Sequence, residues 1–210
     1  MTEQTAAAQF HAATGVEDWR VLYSVVSACF RTDSFATGAA FVGEISRLVG
    51  AAERPPRIDL RDSGVTVSLA SRDVTLARQI SAVAADLGIP ADPSAVQLVN
   101  VTIDALICAD VLPFWRALMD YQQVGDNYLA DPSRRGPGIE IQLMDEPRPQ
   151  RNRMHLDVAV PHDQAETRIA AALAAGGRLV SDTHAPKWWV LADPEGNEAC
   201  VATWLGREPS

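Results

Sequence analysis

The chain has 210 residues, 47% of them hydrophobic, which is enough for one large or two small well-packed domains and excludes a disordered chain. Its formal net charge of -9 argues against nucleic-acid binding, because phosphate backbones are held by basic surfaces. The sequence has no run of about twenty apolar residues and no signal-peptide pattern at its start, so we predict a cytoplasmic protein without membrane association.

The first predicted elements are a strand and a helix. Residues 21–30 are rich in Val, Leu, Tyr and Phe and predict a strand. Residues 31–34, with the sequence RTDS, are a good helix start, and from Phe35 onward apolar residues recur at three- and four-residue spacing. We expect this helix to end before Pro55 and Pro56, because proline cannot continue it.

A hairpin and a second helix are predicted next. Residues 58–61 and 65–69 read as two strands joined by a turn at 62–64. Ser71 is expected to cap the helix, which should end at Gly88. The predicted buried stripe of this helix consists of Val74, Ala77, Ile80, Val83 and Leu87. The order of elements in this half is therefore βαββα.

The second half contains a repeat. A strand from Val101 leads to a helix around residues 114–119 and a strand near 138–144. About fifty residues later, a strand at His155 leads to a helix over 163–175, with Ile169 and Leu173 inward. Strands are then predicted near 178–181, 188–192 and 198–204, with a turn at 193–196. We predict two βαβββ units in tandem and an α+β fold.

The two halves define the predicted domains. Residues 90–95 are rich in Pro, Asp and Ser without periodicity, which is typical of a linker. We therefore place a first domain at residues 15–89, the linker at 90–95 and a second domain at 96–205. The cysteines Cys29, Cys108 and Cys200 are odd in number and widely spaced, and we interpret them as reduced core thiols.

The tandem units resemble a known superfamily. The second unit reads RMHLDVAVP at its first strand and ends in DPEGNEACVATW, and over residues 96–204 the pattern resembles the glyoxalase-like branch of the vicinal-oxygen-chelate superfamily. In that superfamily, two βαβββ units form a cup whose floor carries a divalent metal that polarises vicinal oxygens of a substrate. The resemblance places His155 and Glu198 in metal-ligand positions, and these ligand types suit Zn, Fe, Mn or Ni.

The first unit offers a weaker ligand set. Thr102 stands at the position equivalent to His155, and the last strand offers Glu140 or Gln142. Gln142 is the better placed of the two but is a weak ligand, so the predicted set of ligands is incomplete. A buried, hydrogen-bonded core histidine is the alternative for His155.

Other candidates have structural alternatives. Glu198 alternates with Cys200 and Ala202 and should point inward, where it would be a metal ligand or an ion-pair partner. The adjacent Trp188 and Trp189 must face opposite sides of the sheet, so one is expected to line the cup. Asp104 and Asp157 occupy matching places in the two units and either contribute to a site or hold a turn. Trp115 is expected to pack in the core.

The first half resembles pterin-4a-carbinolamine dehydratase, a βαββα fold. The resemblance rests on WRVLYSVVSACFRTDSFATGAAFVGEISRLV, IDLRDSGVTVSLAS and RDVTLARQISAVAADLGI, and fusion with a glyoxalase-like domain in this order is typical of actinobacterial proteins. That family has a His-His-Pro motif, and this chain has Arg-Pro-Pro at the corresponding residues 54–56. The family also has a further histidine followed by a Gly-Leu-Thr loop. This chain lacks that loop, because Ser71 runs directly into Arg72. Dehydration needs proton transfer near neutral pH, which histidine supplies, so we expect a structural module.

These observations predict a glyoxalase-like enzyme that transforms a small molecule by lyase, isomerase or tailoring chemistry. His155 and Glu198 are the predicted catalytic residues or ligands of a divalent metal, and the predicted substrate-binding residues are Gln142, Trp188 and Trp189. One alternative is a protein that binds or sequesters a small molecule without turnover. A further alternative is pterin dehydration by other groups. A homodimer is expected, because the dehydratase fold associates through its helices and sheet edge.

Overall fold

The computed structural model describes residues 3–22, 25–50, 55–69, 73–147, 156–203 and 205. The chain divides into two compact units, Met1–Leu98 and Val99–Ser210, each with its own hydrophobic core. Both units combine helices with sheets, which confirms the predicted α+β class. In the described ranges, no helix has the length and apolar character needed to cross a membrane.

The first unit packs helices against one antiparallel sheet. Its helices and strands are α1 (Glu3–Ala12), β1 (Arg20–Leu22), β2 (Val25–Arg31), α2 (Phe35–Val49), β3 (Arg57–Arg61), β4 (Gly64–Leu69) and α3 (Val74–Asp86). Within the described residues, the strands form sheet A in the order β1-β2-β4-β3. The predicted hairpin is present as β3 and β4, and Val65, Val67 and Leu69 are buried on one face, as their alternation predicts.

Two features of the first unit extend the predicted βαββα order. The strand predicted over residues 21–30 is divided into β1 and β2, which pair antiparallel. The intervening residues 23 and 24, Tyr-Ser, carry no glycine, proline, asparagine or aspartate to signal a turn. Helix α1 precedes both strands, and its Phe10 belongs to the core of the unit.

The two ends of α3 differ from the predicted helix in the residue that caps it and in the burial of Leu87. The side chain of Asp73 caps the helix by accepting a hydrogen bond from the Leu76 N–H at 3.0 Å, whereas the predicted cap, Ser71, lies outside the described residues. Leu87 was predicted to be buried but is 46% exposed, because it follows the last helical turn. The buried positions of the helix are Ala77, Ile80 and Ala84.

Residues 90–95 lie along β2. The backbone N–H of Arg31 donates to the Pro90 carbonyl at 2.8 Å, and the N–H of Asp92 donates to the Cys29 carbonyl at 2.7 Å. The Arg31 guanidinium also contacts the Asp92 carboxylate at 2.8 Å. This segment is thus hydrogen-bonded to sheet A.

The second unit contains two βαβββ repeats with the same strand order. The first consists of β5 (Asn100–Ala105), α4 (Cys108–Met119), β6 (Gln122–Val124), β7 (Tyr128–Ala130) and β8 (Gly138–Leu143). The second consists of β9 (Leu156–Ala159), α5 (Ala165–Ala174), β10 (Arg178–Ser181), β11 (Trp188–Ala192) and β12 (Glu198–Ala202). The described strands form sheet B, ordered β5-β8-β7-β6, and sheet C, ordered β9-β12-β11-β10. In each sheet the first strand of the repeat pairs in parallel with the last.

One core joins both repeats. Phe114, Trp115 and Leu118 of α4 pack with Ala172 of α5 and with residues from one face of each sheet. Leu173 was predicted to point inward but is 38% exposed, and the neighbouring Ala172 is fully buried instead. Successive side chains of a helix point about 100° apart, so the phase of α5 that buries Ala172 turns Leu173 toward solvent.

Candidate functional site

Sheets B and C each turn one face away from the core. In sheet C, the core-packed side chains include Leu156 and Val158 of β9, Leu191 of β11, and Ala199 and Val201 of β12. Strand side chains alternate, so the residues between them lie on the opposite face. The face of sheet C opposite the core, called here its open face, is defined by Asp157, Ala159, Trp188, Val190, Ala192, Glu198, Cys200 and Ala202. Three of these residues are buried on that face, namely Ala192, Cys200 and Ala202.

Sheet B has a corresponding open face. Val101, Ile103 and Ala105 of β5 and Ile139 and Ile141 of β8 pack in the core. The open face of sheet B is therefore defined by Asn100, Thr102, Asp104, Tyr128, Gly138, Glu140 and Gln142. These two faces carry most of the candidate site residues that the sequence predicts.

Glu198 lies half-buried on the open face of sheet C, at the first position of β12. Its antiparallel partner on β11 is Ala192, and the next residue of β12, Ala199, pairs in parallel with Leu156 at the start of β9. The other predicted ligand, His155, lies outside the described residues. The position of Glu198 is thus described, whereas its pairing with His155 stays a prediction.

The two tryptophans face opposite sides of sheet C. Trp189 packs against the core of the unit, and Trp188 lies half-buried on the open face. The His184 ring lies beside Trp188, with ring centroids 4.3 Å apart and the planes tilted by 30°. Of the two predicted substrate-binding tryptophans, the open face carries Trp188.

Gln142 and Glu140 both lie exposed on the open face of sheet B. Gln142 pairs with Asp104 on β5, and Glu140 is flanked by Thr102 on β5 and Tyr128 on β7. The structure therefore brings Gln142 and Asp104 side by side.

Tyr128 was not predicted as a site residue. Its hydroxyl contacts Asn100 Oδ1 at 3.3 Å on the same open face. The sequence signal for it is weak, because β7 is only three residues long and shows little alternation.

The turn between β11 and β12 connects the two repeats. The Glu195 carboxylate accepts hydrogen bonds from the backbone N–H groups of Leu106 and Ile107, at 2.7 and 2.8 Å, beside the start of α4. The fully buried Asp193 accepts one from the Trp115 indole at 3.0 Å. The turn that the sequence marks as DPEGNE therefore fixes the position of β12, and with it Glu198, relative to α4.

The described side chains do not complete a metal site. Over the described ranges, no group of three His, Cys, Asp or Glu side chains is placed to hold a metal ion. Cys108 donates weakly to the Asp126 carbonyl at 3.5 Å, and burial, together with the Asp126 charge, raises the pKa of its thiol. All three cysteines are free thiols; Cys29 and Cys200 are buried, as predicted for core thiols, whereas Cys108 is half-buried at the start of α4. A metal on sheet C would therefore require His155 or its undescribed neighbours in addition to Glu198.

Residues 100–202 match the family model described as a glyoxalase-like domain, so the second unit carries a domain of this class. This match confirms the predicted resemblance of the second half. A search of the curated proteins returned no significant match.

Solved structures with similarity to the chain include two proteins of the glyoxalase and bleomycin-resistance group. One, from Burkholderia phytofirmans PsJN, is 16% identical with a TM-score of 0.40 and covers 52% of this chain and 100% of its own. Another, from Albidiferax ferrireducens T118, is 18% identical with a TM-score of 0.41 and covers 50% of this chain and 97% of its own. The fosfomycin resistance protein FosX from Listeria monocytogenes, solved with Mn(II) and sulfate, is 10% identical with a TM-score of 0.40, covering 51% and 91% of the two chains.

Proposed function

We propose that the second unit is an enzyme of the vicinal-oxygen-chelate type that transforms a small oxygenated molecule on the open faces of sheets B and C. The family match over residues 100–202 supports the class of protein. The observation that carries the proposal is the position of Glu198, whose carboxylate stands on the open face directly before the residue that pairs with Leu156. Leu156 is the residue after His155, so a parallel register continued by one residue would set His155 beside Glu198.

His155 and Glu198 supply the reactive groups in this proposal. An imidazole and a carboxylate can hold a divalent metal such as Zn, Fe, Mn or Ni, or can act directly as base and acid. When bound, such a metal would polarise oxygens of the substrate. Glu198 is the predicted ligand on sheet C whose position the structure describes.

We propose a structural role for the first unit, as a degenerate dehydratase-like module. Its sequence contains one histidine, His11. The Nε2 atom of this histidine accepts a hydrogen bond from the Val21 N–H at 3.3 Å, so His11 holds α1 against β1. Of the positions equivalent to the family histidines, Pro55 is described and has no ionisable side chain, whereas Arg54 and the segment near Ser71 fall outside the described residues. A homodimer and a cytoplasmic location stay predictions.

A non-catalytic binding protein is the second candidate function. It is favoured by the open face of sheet B, where Thr102 and Gln142 stand at the positions that the resemblance assigns to metal ligands. Neither side chain carries a charge, and neither is a strong ligand for a divalent metal. A ligand that binds this face and is recovered unchanged would favour binding over catalysis.

The proposal is tested by the metal content of untagged protein purified without chelator and then loaded in turn with Zn, Mn, Ni and Fe(II). We expect near-stoichiometric retention of one of these metals after gel filtration. The double variant His155→Ala and Glu198→Ala should lose it, because both proposed ligands are removed.

Glu166→Ala is the matched control, since Glu166 is an exposed carboxylate on α5. Its metal content should equal that of the unaltered protein. Equal metal content in the double variant would contradict the assignment of the ligands. Absence of metal from the unaltered protein after loading would contradict a metal-dependent enzyme.

A further inference from the structure

The loop between β7 and β8, residues 131–137, is wound around one carboxylate. The side chain of Asp131 accepts hydrogen bonds from the backbone N–H groups of Ser133 at 2.7 Å, Arg135 at 2.7 Å and Gly136 at 2.8 Å. These bonds, that from Gly136 foremost, hold the pKa of the Asp131 carboxyl below its usual value. The loop is therefore ordered by contacts within itself.

The same loop is restrained in two further ways. Pro132 and Pro137 each fix one φ angle, which removes conformational freedom from the free protein. A Cβ atom at Gly136 would collide with the Tyr121 hydroxyl, so the backbone passes directly against that side chain. The loop thus presents its exposed side chains from a backbone that is ordered in advance, and this lowers the entropy cost of binding a partner.

Arg134 has a backbone conformation that its residue type rarely adopts. Its φ is 55°, in the left-handed region where glycine, asparagine and aspartate are the common residues. A glycine would relieve the backbone at this position, yet the chain has an arginine there. Residues held in such conformations cluster at binding sites and switch regions, so a function for the Arg134 side chain would account for its presence.

Arg134 and Arg135 form a local basic patch on an acidic protein. Both residues are exposed, and in the part of the chain that the structure describes neither guanidinium has an ion-pair partner. The chain as a whole has a formal net charge of -9. Guanidinium groups bind carboxylates through paired, charge-assisted hydrogen bonds, so the patch fits a partner with negative charge.

The loop favours an extended acidic segment over a small anion. A small ligand is bound where several donors converge on it in a concave site. The backbone N–H groups of residues 133–136 all donate to Asp131, three to its carboxylate and that of Arg134 to its carbonyl at 2.9 Å. The two guanidiniums are thus the donors that remain on an exposed turn, and a chain with several carboxylates can contact both at once.

We propose that the loop 131–137 is a docking site for a protein partner, which binds Arg134 and Arg135 through an extended segment rich in aspartate or glutamate. This interaction goes beyond the proposed function and does not depend on it.

The test measures binding of fluorescein-labelled decaglutamate to the full chain by fluorescence anisotropy at low ionic strength. The net charge of the protein repels this peptide, so binding requires a local basic site. We expect binding that weakens as salt is added, because salt screens exposed charges. Decaglutamine with the same label should not bind, which controls for contacts made by the dye.

A double variant locates the binding site. Arg134→Gln with Arg135→Gln should lower the affinity for decaglutamate by about tenfold or more, because both donor groups are lost. Arg116→Gln with Arg178→Gln is the matched control, since it removes the same charge from two other exposed positions of the second unit. The control pair should change the affinity by less than about threefold.

Arg134→Gly separates binding from folding. Glycine adopts the backbone conformation of this position without strain, so the melting temperature should not fall. The affinity for decaglutamate should nevertheless drop by about threefold or more, because one guanidinium is removed.

Three results would overturn the proposal. They are absence of binding to the unaltered chain, an equal loss of affinity in the double variant and its control pair, and tighter binding of inorganic phosphate than of decaglutamate at the same ionic strength. The last result would assign the two arginines to a small anion instead of a protein segment.

Discussion

Asp193 combines full burial with a negatively charged side chain. Its carboxylate accepts hydrogen bonds from the Trp115 indole, from the Glu195 N–H and from both the backbone and side-chain nitrogens of Asn197. A buried carboxylate is tolerated only when donors surround it in this way. Asp193 therefore orders the turn before β12 and anchors α4 to it.

Asp193→Asn should lower the free energy of unfolding of the second unit by about 2–3 kcal/mol. The side-chain NH2 of asparagine would replace one carboxylate oxygen, and the N–H groups that now donate to that oxygen would lose their acceptor. Urea denaturation measures this value. The control is Asp163→Asn at an exposed position, which should change stability by less than about 0.5 kcal/mol. A loss in Asp193→Asn no larger than in the control would show that the carboxylate does not anchor the turn.

Helix α4 obtains its N-terminal cap from a distant part of the chain. Its N-cap residue, Ile107, has no side chain that can accept a hydrogen bond. The two carboxylate oxygens of Glu195 accept instead, one from the Leu106 N–H and one from the Ile107 N–H. A carboxylate at this end also interacts favourably with the helix dipole. The cap therefore couples the start of α4 to the turn between β11 and β12.

Glu195→Gln should destabilise the second unit by about 1–2 kcal/mol, since one of the two acceptors is lost together with the charge. Hydrogen exchange should increase at the amides of Leu106 and Ile107, and mass spectrometry of peptides from this segment measures that increase. Glu146→Gln, at an exposed loop position, is the control. Unchanged exchange at both amides would contradict the cap.

The sequence predicts those elements in which apolar and polar side chains recur at a regular spacing within the element itself. The alternation of Val65, Val67 and Leu69 predicts β4, and the alternation of Glu198 with Cys200 and Ala202 predicts the face that the carboxylate occupies. Both signals are local, so each can be read from the residues of a single strand.

Features that depend on other parts of the molecule could not be predicted in this way. The division of the first strand lacks a turn signal, and the exposure of Leu87 depends on where its helix ends. The role of Glu195 depends on amides 88 and 89 residues earlier in the chain. Packing across the fold, rather than local pattern, determines these three features.

At the scale of the whole molecule, the described residues form two hydrophobic cores that share no residues. The core of the first unit is built around Trp19, Phe30, Phe41, Ile45 and Ile80, and the core of the second around Phe114, Trp115, Leu118, Leu129 and Ile139. Each core is assembled within its own unit. We therefore expect the two units to unfold in separate transitions.

Ile80→Ala and Leu129→Ala form a matched pair for this expectation, because both side chains are fully buried, one in each core. Each substitution should lower the stability of its own unit by about 2–5 kcal/mol and leave the other unit unchanged. Hydrogen exchange of peptides from each unit during urea unfolding measures the two effects separately. A single transition shifted by both substitutions would show that the units unfold as one.

The cap on α4 has a consequence for engineering. Among the described residues, the Glu195 carboxylate accepts hydrogen bonds from the main-chain amides of Leu106 and Ile107, and both of these side chains are exposed. Any amino acid except proline presents the same amide, so the contact does not depend on which residues occupy the two positions. The junction between the repeats therefore leaves two adjacent surface positions open to randomisation in a variant library.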